Sequence, residues 1–112
     1  MENKQEYSII LSTCGNKESA TAIAMMLVEK RLAACVQMLP IASVYLWQDK
    51  ICNDKETALF IKSRTDLFDE IATAIKEIHA YEIPEIIQIP ITDGIPEYLR
   101  WIDNCTETNE NT

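Results

Sequence analysis

The segment from residue 86 to 91 places the strongest constraint on the fold, because it leaves almost no polar face. It reads Ile-Ile-Gln-Ile-Pro-Ile, so a β-strand here would carry isoleucine on both sides. A strand with two apolar faces is typical of the interior of a sheet that is covered by helices or by other subunits. His79, the only histidine of the chain, precedes this strand. We therefore expect a rim of polar and aromatic side chains, including Tyr81 and Glu85, at one end of it.

Length and charge limit the classes of protein that fit. The chain has 112 residues, enough for one domain, which we predict over residues 1–105, followed by an acidic polar tail over 106–112 that we expect to be disordered. The net charge of −8 argues against a nucleic acid or an anionic membrane surface as partner, since both need a basic footprint. No apolar run approaches the ~20 residues of a membrane span, and residues 1–6 lack the apolar core of a signal peptide. A cytoplasmic protein with reduced cysteines is the expectation.

The pattern of apolar residues and turn signals predicts three helices and four strands. Asn16 is a plausible cap for the first helix, and Thr65 or Asp66 for the second. In chain order, the predicted elements are a strand over 7–13, a helix around 20–28, a strand over 33–47, a strand over 51–62, a helix over 66–78, a strand over 86–91 and a short helix from Pro96.

The longest predicted element is a hairpin that turns at residues 48–50. Because proline cannot donate to a sheet ladder, we expect a bend or bulge near Pro40. The hairpin is too long for a domain of this size, so we expect it to protrude as a two-stranded ribbon. Tyr45 and Trp47 near its tip would then be large exposed groups, for which another subunit is the natural cover.

The order strand, helix, strand, strand, helix, strand is that of an α+β, ferredoxin-like βαββαβ fold with one antiparallel sheet and, here, an added C-terminal helix. Two helices cover only one face of such a sheet. The strands at 58–61 and 86–91 are apolar on both sides, so we expect oligomerisation to bury the second face.

Several motifs in sequence resemble those of the CutA divalent-cation tolerance proteins from residue 7 to about 102. The motifs are Glu-Lys-Arg-Leu-Ala-Ala-Cys-Val at 29–36, Ser-Val-Tyr-Leu-Trp at 43–47 with Lys50, Ile-Lys-Ser-Arg at 61–64, His-Ala-Tyr-Glu-Ile-Pro-Glu-Ile at 79–86 and Tyr-Leu-Arg-Trp at 98–101. The resemblance implies a cytoplasmic homotrimer, similar in architecture to the PII nitrogen-signalling proteins, with clefts between subunits. It also implies a link to copper and other divalent cations. The sequence has no recognisable nucleophile setting and, with only Gly15 and Gly94, no glycine-rich phosphate cradle, so we expect no catalytic activity and no organic cofactor.

The metal-ligand pattern of the family is only partly present. The copper ligands attributed to one bacterial relative fall on Ser12, Ile78 and His79, so a single ligand of three is retained. We take His79, Cys35 and Glu85 as the candidate ligands for Cu(II) or another divalent cation. Two alternatives stay open: His79 as a structural rim residue and Cys35 as a buried, inert thiol.

Five residues are candidates for an intersubunit cleft: Trp47, Lys62, Tyr81, Glu85 and Trp101. Lys62 and Glu85 could form a plain ion pair, or Lys62 could anchor a small ligand between aromatic walls. The sequence thus supports two hypotheses. One is a metal-responsive or metal-buffering trimer, and the other is a PII-like module that binds a small molecule or a protein partner in its clefts.

Overall fold

The computed structural model describes residues 5–106. A short 3-10 turn, Thr65–Leu67, precedes the second helix. The strands and helices are β1 (Tyr7–Cys14), α1 (Lys17–Glu29), β2 (Cys35–Trp47), β3 (Lys50–Arg64), α2 (Phe68–Ile78), β4 (Ile86–Ile91) and α3 (Pro96–Thr106).

The four strands form one antiparallel sheet in the order β2-β3-β1-β4. This confirms the predicted α+β, ferredoxin-like arrangement with an added C-terminal helix. The helix α3 runs through Thr106, whose buried hydroxyl donates to the carbonyl oxygen of Ile102 at 2.8 Å. Residue 106, predicted as the start of the tail, is therefore part of the folded domain. The rest of that tail, 107–112, lies outside the described residues.

The core lies between one face of the sheet and the helices α1 and α2. Asn16 caps α1 as predicted, accepting a hydrogen bond from the backbone N–H of Ser19 at 2.8 Å. Apolar side chains that repeat every three or four residues on each helix meet the inward side chains of the two central strands. The largest fully buried ones are Ile10, Ile23, Leu27, Leu59, Ile61, Ile71 and Ile75. No helix within residues 5–106 is long and apolar enough to cross a membrane.

The isoleucine-rich strand β4 lies at an edge of the sheet, so the prediction of an interior strand is wrong within one chain, while cover of its second face by another subunit stays a prediction. Within residues 5–106, it pairs with β1 alone. Ile87 and Ile89 point away from α1 and α2 and keep 48% and 43% of their surface exposed. The alternation of side chains along a strand explains the error. An apolar face has the same sequence pattern whether it is buried within one chain or exposed on it. The central position predicted for residues 58–61 is confirmed, as Ala58, Leu59 and Ile61 are buried in β3.

The strands β2 and β3 form the predicted ribbon. β1 follows β3 only as far as the pair Cys14 and Thr57, so the two-stranded ladder continues alone to its last pair, Trp47 and Lys50. Gln48 and Asp49 make the turn with φ of 52° and 65°, the left-handed pair required by a two-residue hairpin of type I′.

The predicted bulge near Pro40 is wrong. The register between β2 and β3 is continuous, and Pro40 stands opposite Thr57 without an extra residue on either strand. Because β2 is an edge strand, a residue without a backbone N–H is tolerated there.

Candidate functional site

A groove of about 620 Å³ lies between the ribbon and the segment that joins α2 to β4. The ribbon supplies one wall, the end of β1 supplies the floor, and residues 80–85 supply the other wall. Its lining contains three aromatic side chains, three carboxylates and no lysine or arginine. The lining residues are Thr13, Ser43, Val44, Tyr45, Trp47, Glu56, Ala80, Tyr81, Glu82, Ile83 and Glu85.

His79 stands immediately after α2, behind this groove, and both of its ring nitrogens are hydrogen-bonded to the backbone. Nε2 lies 2.7 Å from the carbonyl oxygen of Thr13, and Nδ1 accepts the N–H of Tyr81 at 3.0 Å. Since a carbonyl oxygen only accepts, Nε2 must carry the proton, which fixes the tautomer. Within one chain, His79 therefore ties the end of β1 to the wall of the groove.

The thiol of Cys14 is the sulfur nearest to this imidazole, with Sγ 3.8 Å from Nε2 of His79. Burial is the main cause that raises the pKa of Cys14, and the negative charge of Glu56 adds to it. The thiol is thus held in its neutral form, the opposite of the activation that a nucleophilic cysteine needs.

Two phenol-to-carboxylate hydrogen bonds organise the groove. Tyr81 donates from Oη to Glu56 at 2.6 Å and so joins the loop after α2 to the ribbon. Tyr45 donates to Asp54 across the ribbon. The bond to Asp54 is the main cause that raises the pKa of Tyr45 to about 12, while burial and then the bond to Glu56 raise the pKa of Tyr81 further. Both phenols therefore stay neutral near neutral pH.

The three predicted metal ligands do not converge within the chain. Cys35 pairs with Lys62, whereas His79 contacts the end of β1, which pairs with Thr57. Five residues of extended strand separate those two positions on β3, or ~17 Å, which is too far for a shared ion. Glu85 lines the groove. Among residues 5–106, no three side chains of His, Cys, Asp or Glu are close enough to hold a metal ion together. Convergence between subunits stays a prediction.

The five predicted cleft residues fall into two groups. Trp47, Tyr81 and Glu85 line the groove together. Lys62 and Trp101 lie at the other end of the sheet, where α3 packs against β3.

In this second group, Lys62 places Nζ 5.5 Å from the ring centroid of Tyr98, and that ring lies 5.4 Å from the ring of Trp101. Lys62 and Glu85 do not form an ion pair in the chain, because four positions of β-strand separate them. Within residues 5–106, Arg64 forms an ion pair with Asp66, with Nε 3.5 Å from Oδ1.

Sequence reasoning missed Tyr45, as a groove residue, and Glu56. The signal was present in the hairpin. A two-residue turn at 48–49 fixes the register, which places Tyr45 diagonally opposite Asp54 and puts Ser43, Tyr45 and Trp47 on one face. Position 56 then lies at the base of the same wall.

The chain matches a known protein family along most of its length. The family model described as CutA1 divalent ion tolerance protein matches residues 8–105. The chain belongs to the CutA1 family. That family is described by tolerance of divalent ions and not by a reaction.

Relatives come from bacteria, archaea and animals. The divalent-cation tolerance protein CutA of Thermus thermophilus is 41% identical over 99 residues, covering 88% of this chain and 96% of that protein. The protein CutA of mouse is 41% identical over 101 residues. This chain spans only 57% of the length of the mouse protein, so part of that CutA protein has no counterpart in the match.

Solved CutA structures have the same fold. The structure from Archaeoglobus fulgidus, described as a periplasmic divalent cation tolerance protein, superposes with a TM-score of 0.89 at 40% identity and covers 90% of this chain and 99% of its own. The Thermus thermophilus structure superposes with a TM-score of 0.87, also at 40% identity, covering 89% and 98%. The four-stranded sheet and three helices described above are thus the architecture of these CutA proteins.

Proposed function

We propose that this protein contributes to tolerance of divalent metal ions, copper among them, by binding such ions weakly as a cytoplasmic, non-catalytic homotrimer. Membership of the CutA1 family supports the general role. The observation that carries the site is the groove beside the ribbon, where Glu56, Glu82 and Glu85 contribute carboxylates and no basic side chain competes with a cation.

Carboxylate oxygens are the ligands we propose first. Glu85 has no hydrogen-bond partner among the described side chains, while Glu56 has one oxygen engaged by Tyr81. His79 would have to give up a backbone hydrogen bond to bind a metal, and Cys35 lies far from the groove, so both rank after Glu85. Copper(II) stands highest among first-row divalent ions for a given set of oxygen or nitrogen ligands, which supports copper as the tightest-bound ion.

Metal titrations test this role. Isothermal titration of Cu(II) and Mn(II) into the intact protein is expected to give weak binding, tighter for Cu(II), at up to one ion per subunit. Glu85→Gln keeps the size of the side chain and removes its charge, so the affinity should fall. Glu29→Gln, at the exposed end of α1, is the matched control and should bind as the parent does. Equal affinities in all three proteins would remove Glu85 from the site.

A trimer is supported by the apolar surface that one chain leaves uncovered. Leu46 and Ile51 stand opposite each other on the ribbon with 68% and 81% of their surface exposed, and Ile87 and Ile89 add the open face of β4. Surfaces of this kind mark protein interfaces. Sedimentation equilibrium should give three times the mass of the chain at micromolar concentration. Leu46→Lys should shift the protein toward monomer, whereas Glu29→Gln, an exposed change at the end of α1, should not. A monomeric parent protein would overturn the trimer.

The absence of catalysis and the cytoplasmic location have separate support. Burial keeps the thiol of Cys14 protonated beside His79, so the nearest approach to a nucleophile and base pair is not activated. All four cysteines, each within the described residues, are free thiols, as is usual in a reducing compartment.

A second function, a PII-like module that binds a small molecule or a protein partner, is favoured by the aromatic walls of the groove. Tyr45, Trp47 and Tyr81 form a lining of the kind that small-ligand sites use. Trp47→Ala should abolish capture of such a ligand or partner while the trimer persists. Lys62→Ala changes a residue outside the groove and serves as the comparison. Capture unaffected by both changes would contradict this function.

A further inference from the structure

Within the groove, aromatic surface and negative charge occur together. Tyr45, Trp47 and Tyr81 line it and are all partly exposed. Large aromatic side chains are normally buried, so exposed ones that lie together suggest that a ligand or partner packs on them. Glu82 and Glu85 belong to the opposite wall, and no lysine or arginine lines the groove. An occupant must therefore offer apolar surface and positive charge at the same time.

We propose that the groove binds a small organic ammonium ion, with its alkyl part against the aromatic rings and its charged nitrogen between those rings and the carboxylates. This inference rests on the small-molecule role proposed above. The face of an aromatic ring attracts a cation through its quadrupole, most strongly for tryptophan, and ammonium groups held by aromatic side chains are the functional example. Carboxylates that face the same space add attraction without needing the fixed coordination geometry of a metal.

The existing hydrogen bonds are compatible with an ammonium ion. Tyr81 already donates to one oxygen of Glu56, and Tyr45 already donates to Asp54, so phenols orient these two carboxylates, while Glu82 and Glu85 also line the groove. A tightly held metal needs several ligands at fixed distances, and residues 5–106 bring no three candidate ligands together. An ammonium ion needs only diffuse negative potential beside a ring.

The size of the groove is consistent with a small molecule. Its volume of about 620 Å³ lies within the ~300 to 1,000 Å³ that is typical of small-molecule sites. The ring of Tyr81 packs against the backbone at Gly15, where an added Cβ would lie 3.4 Å from Oη of Tyr81. The ring is held between Gly15 and Glu56 and presents its remaining surface to the groove.

The two tryptophans provide a direct test. The chain contains only Trp47, in the groove, and Trp101, on α3 at the other end of the sheet, so their two indole N–H signals report on site and control in one spectrum. Butylammonium chloride, added to the intact protein at constant ionic strength set with potassium chloride, should shift the Trp47 signal with saturation and leave the Trp101 signal in place. The neutral molecule of the same shape, 1-butanol, should cause a much smaller shift.

Two variants locate the interaction. Glu85→Gln should weaken butylammonium binding roughly twofold to fivefold, as expected for one partly solvated charge pair. Trp47→Leu keeps an apolar side chain and removes the ring; followed through the signals of residues 80–85, it should weaken butylammonium about as much. Glu29→Gln should leave the affinity unchanged.

The possible outcomes distinguish binding of an ammonium ion from the more general small-molecule role. Equal saturable shifts with butylammonium and 1-butanol would refute the preference for a cation and leave the small-molecule role standing. No saturable shift of Trp47 with either molecule would refute both. A shift of Trp101 alone would place the binding outside the groove and would also refute the proposal.

Discussion

Replacing His79 with alanine separates a structural role from a metal-binding role. The change removes the hydrogen bond to the carbonyl oxygen of Thr13 and the hydrogen bond from the N–H of Tyr81. Each such bond contributes ~0.5–1.5 kcal/mol net, so the free energy of unfolding should fall by about 2 kcal/mol per subunit. Apolar burial adds little, because the imidazole is only partly buried.

Denaturation in urea, followed by tryptophan fluorescence, measures this loss. We expect a lower midpoint with an unchanged slope, since no additional surface is exposed on unfolding. The concentration of subunits must be the same for every variant, because association contributes to the stability of an oligomer. Two matched variants measure the contributions of the two hydrogen bonds separately. His79→Asn keeps an acceptor near the position of Nδ1, His79→Gln keeps a donor near the position of Nε2, and each should recover part of the loss.

The result that would refute this reasoning is a His79→Ala protein as stable as the parent. Equal losses in all three variants would also contradict it, because then neither hydrogen bond would be the cause. Cu(II) titration of the same proteins gives the opposing test. If the structural role is the main one, Cu(II) affinity should fall less in His79→Ala than in Glu85→Gln. A larger fall, without loss of stability, would make His79 the principal ligand.

Three further predictions concern local features of the fold. The hydroxyl of Ser12 is buried without a hydrogen-bond partner, so Ser12→Ala should raise the free energy of unfolding by ~1 kcal/mol, and a lower urea midpoint would contradict this. Gln48→Asn combined with Asp49→Gly should raise it by ~1 kcal/mol, because these residues suit the left-handed turn; an unchanged midpoint would show that the turn is not strained. The folded-state pKa of Tyr45 is raised from 10.0 to about 12, so its contribution to stability is complete below pH 10 and is lost as the pH rises through about 12. In Asp54→Ala, spectrophotometric titration should show one tyrosine fewer that ionises above its usual pH range. An unchanged titration curve would exclude the hydrogen bond to Asp54 as the cause of the raised pKa.

The parts of the fold that local chemistry determines could be predicted from sequence. Asn16 caps α1 because its side chain reaches an N–H three residues on, and the hairpin turns at Gln48 and Asp49 because polar residues there interrupt two apolar strand segments. Both features depend on neighbours in the chain. The position of β4 depends on which surface covers Ile87 and Ile89, and the sequence does not distinguish a second layer of the same chain from a neighbouring subunit.

The candidate site was predictable to a smaller extent, for a related reason. The only imidazole of the chain suggests a metal ligand, yet the partners of His79 are the backbone carbonyl of Thr13 and the backbone N–H of Tyr81. Every residue other than proline has both groups, so no residue type in the sequence identifies these partners. Tyr81 and Glu85 were found because they lie close to His79 in sequence. Glu56 was missed because only the register of the hairpin brings it to the groove.

The ribbon links assembly to binding, because its two strands serve both. Tyr45 and Trp47 form a wall of the groove. Leu46, which lies between them on β2, and Ile51, which pairs with Leu46 on β3, carry the exposed apolar surface. A two-stranded ribbon is marginally stable in water on its own, so a subunit packed on that apolar surface would also hold the wall of the groove in place. A ligand that binds only the ordered groove must then favour the assembled state, by ~2.7 kcal/mol at a free concentration 100 times its Kd. By the same linkage, assembly must raise the affinity of the groove for that ligand. A cation that binds too weakly to be stored would still have an effect, because its binding would increase the free energy that holds the subunits together.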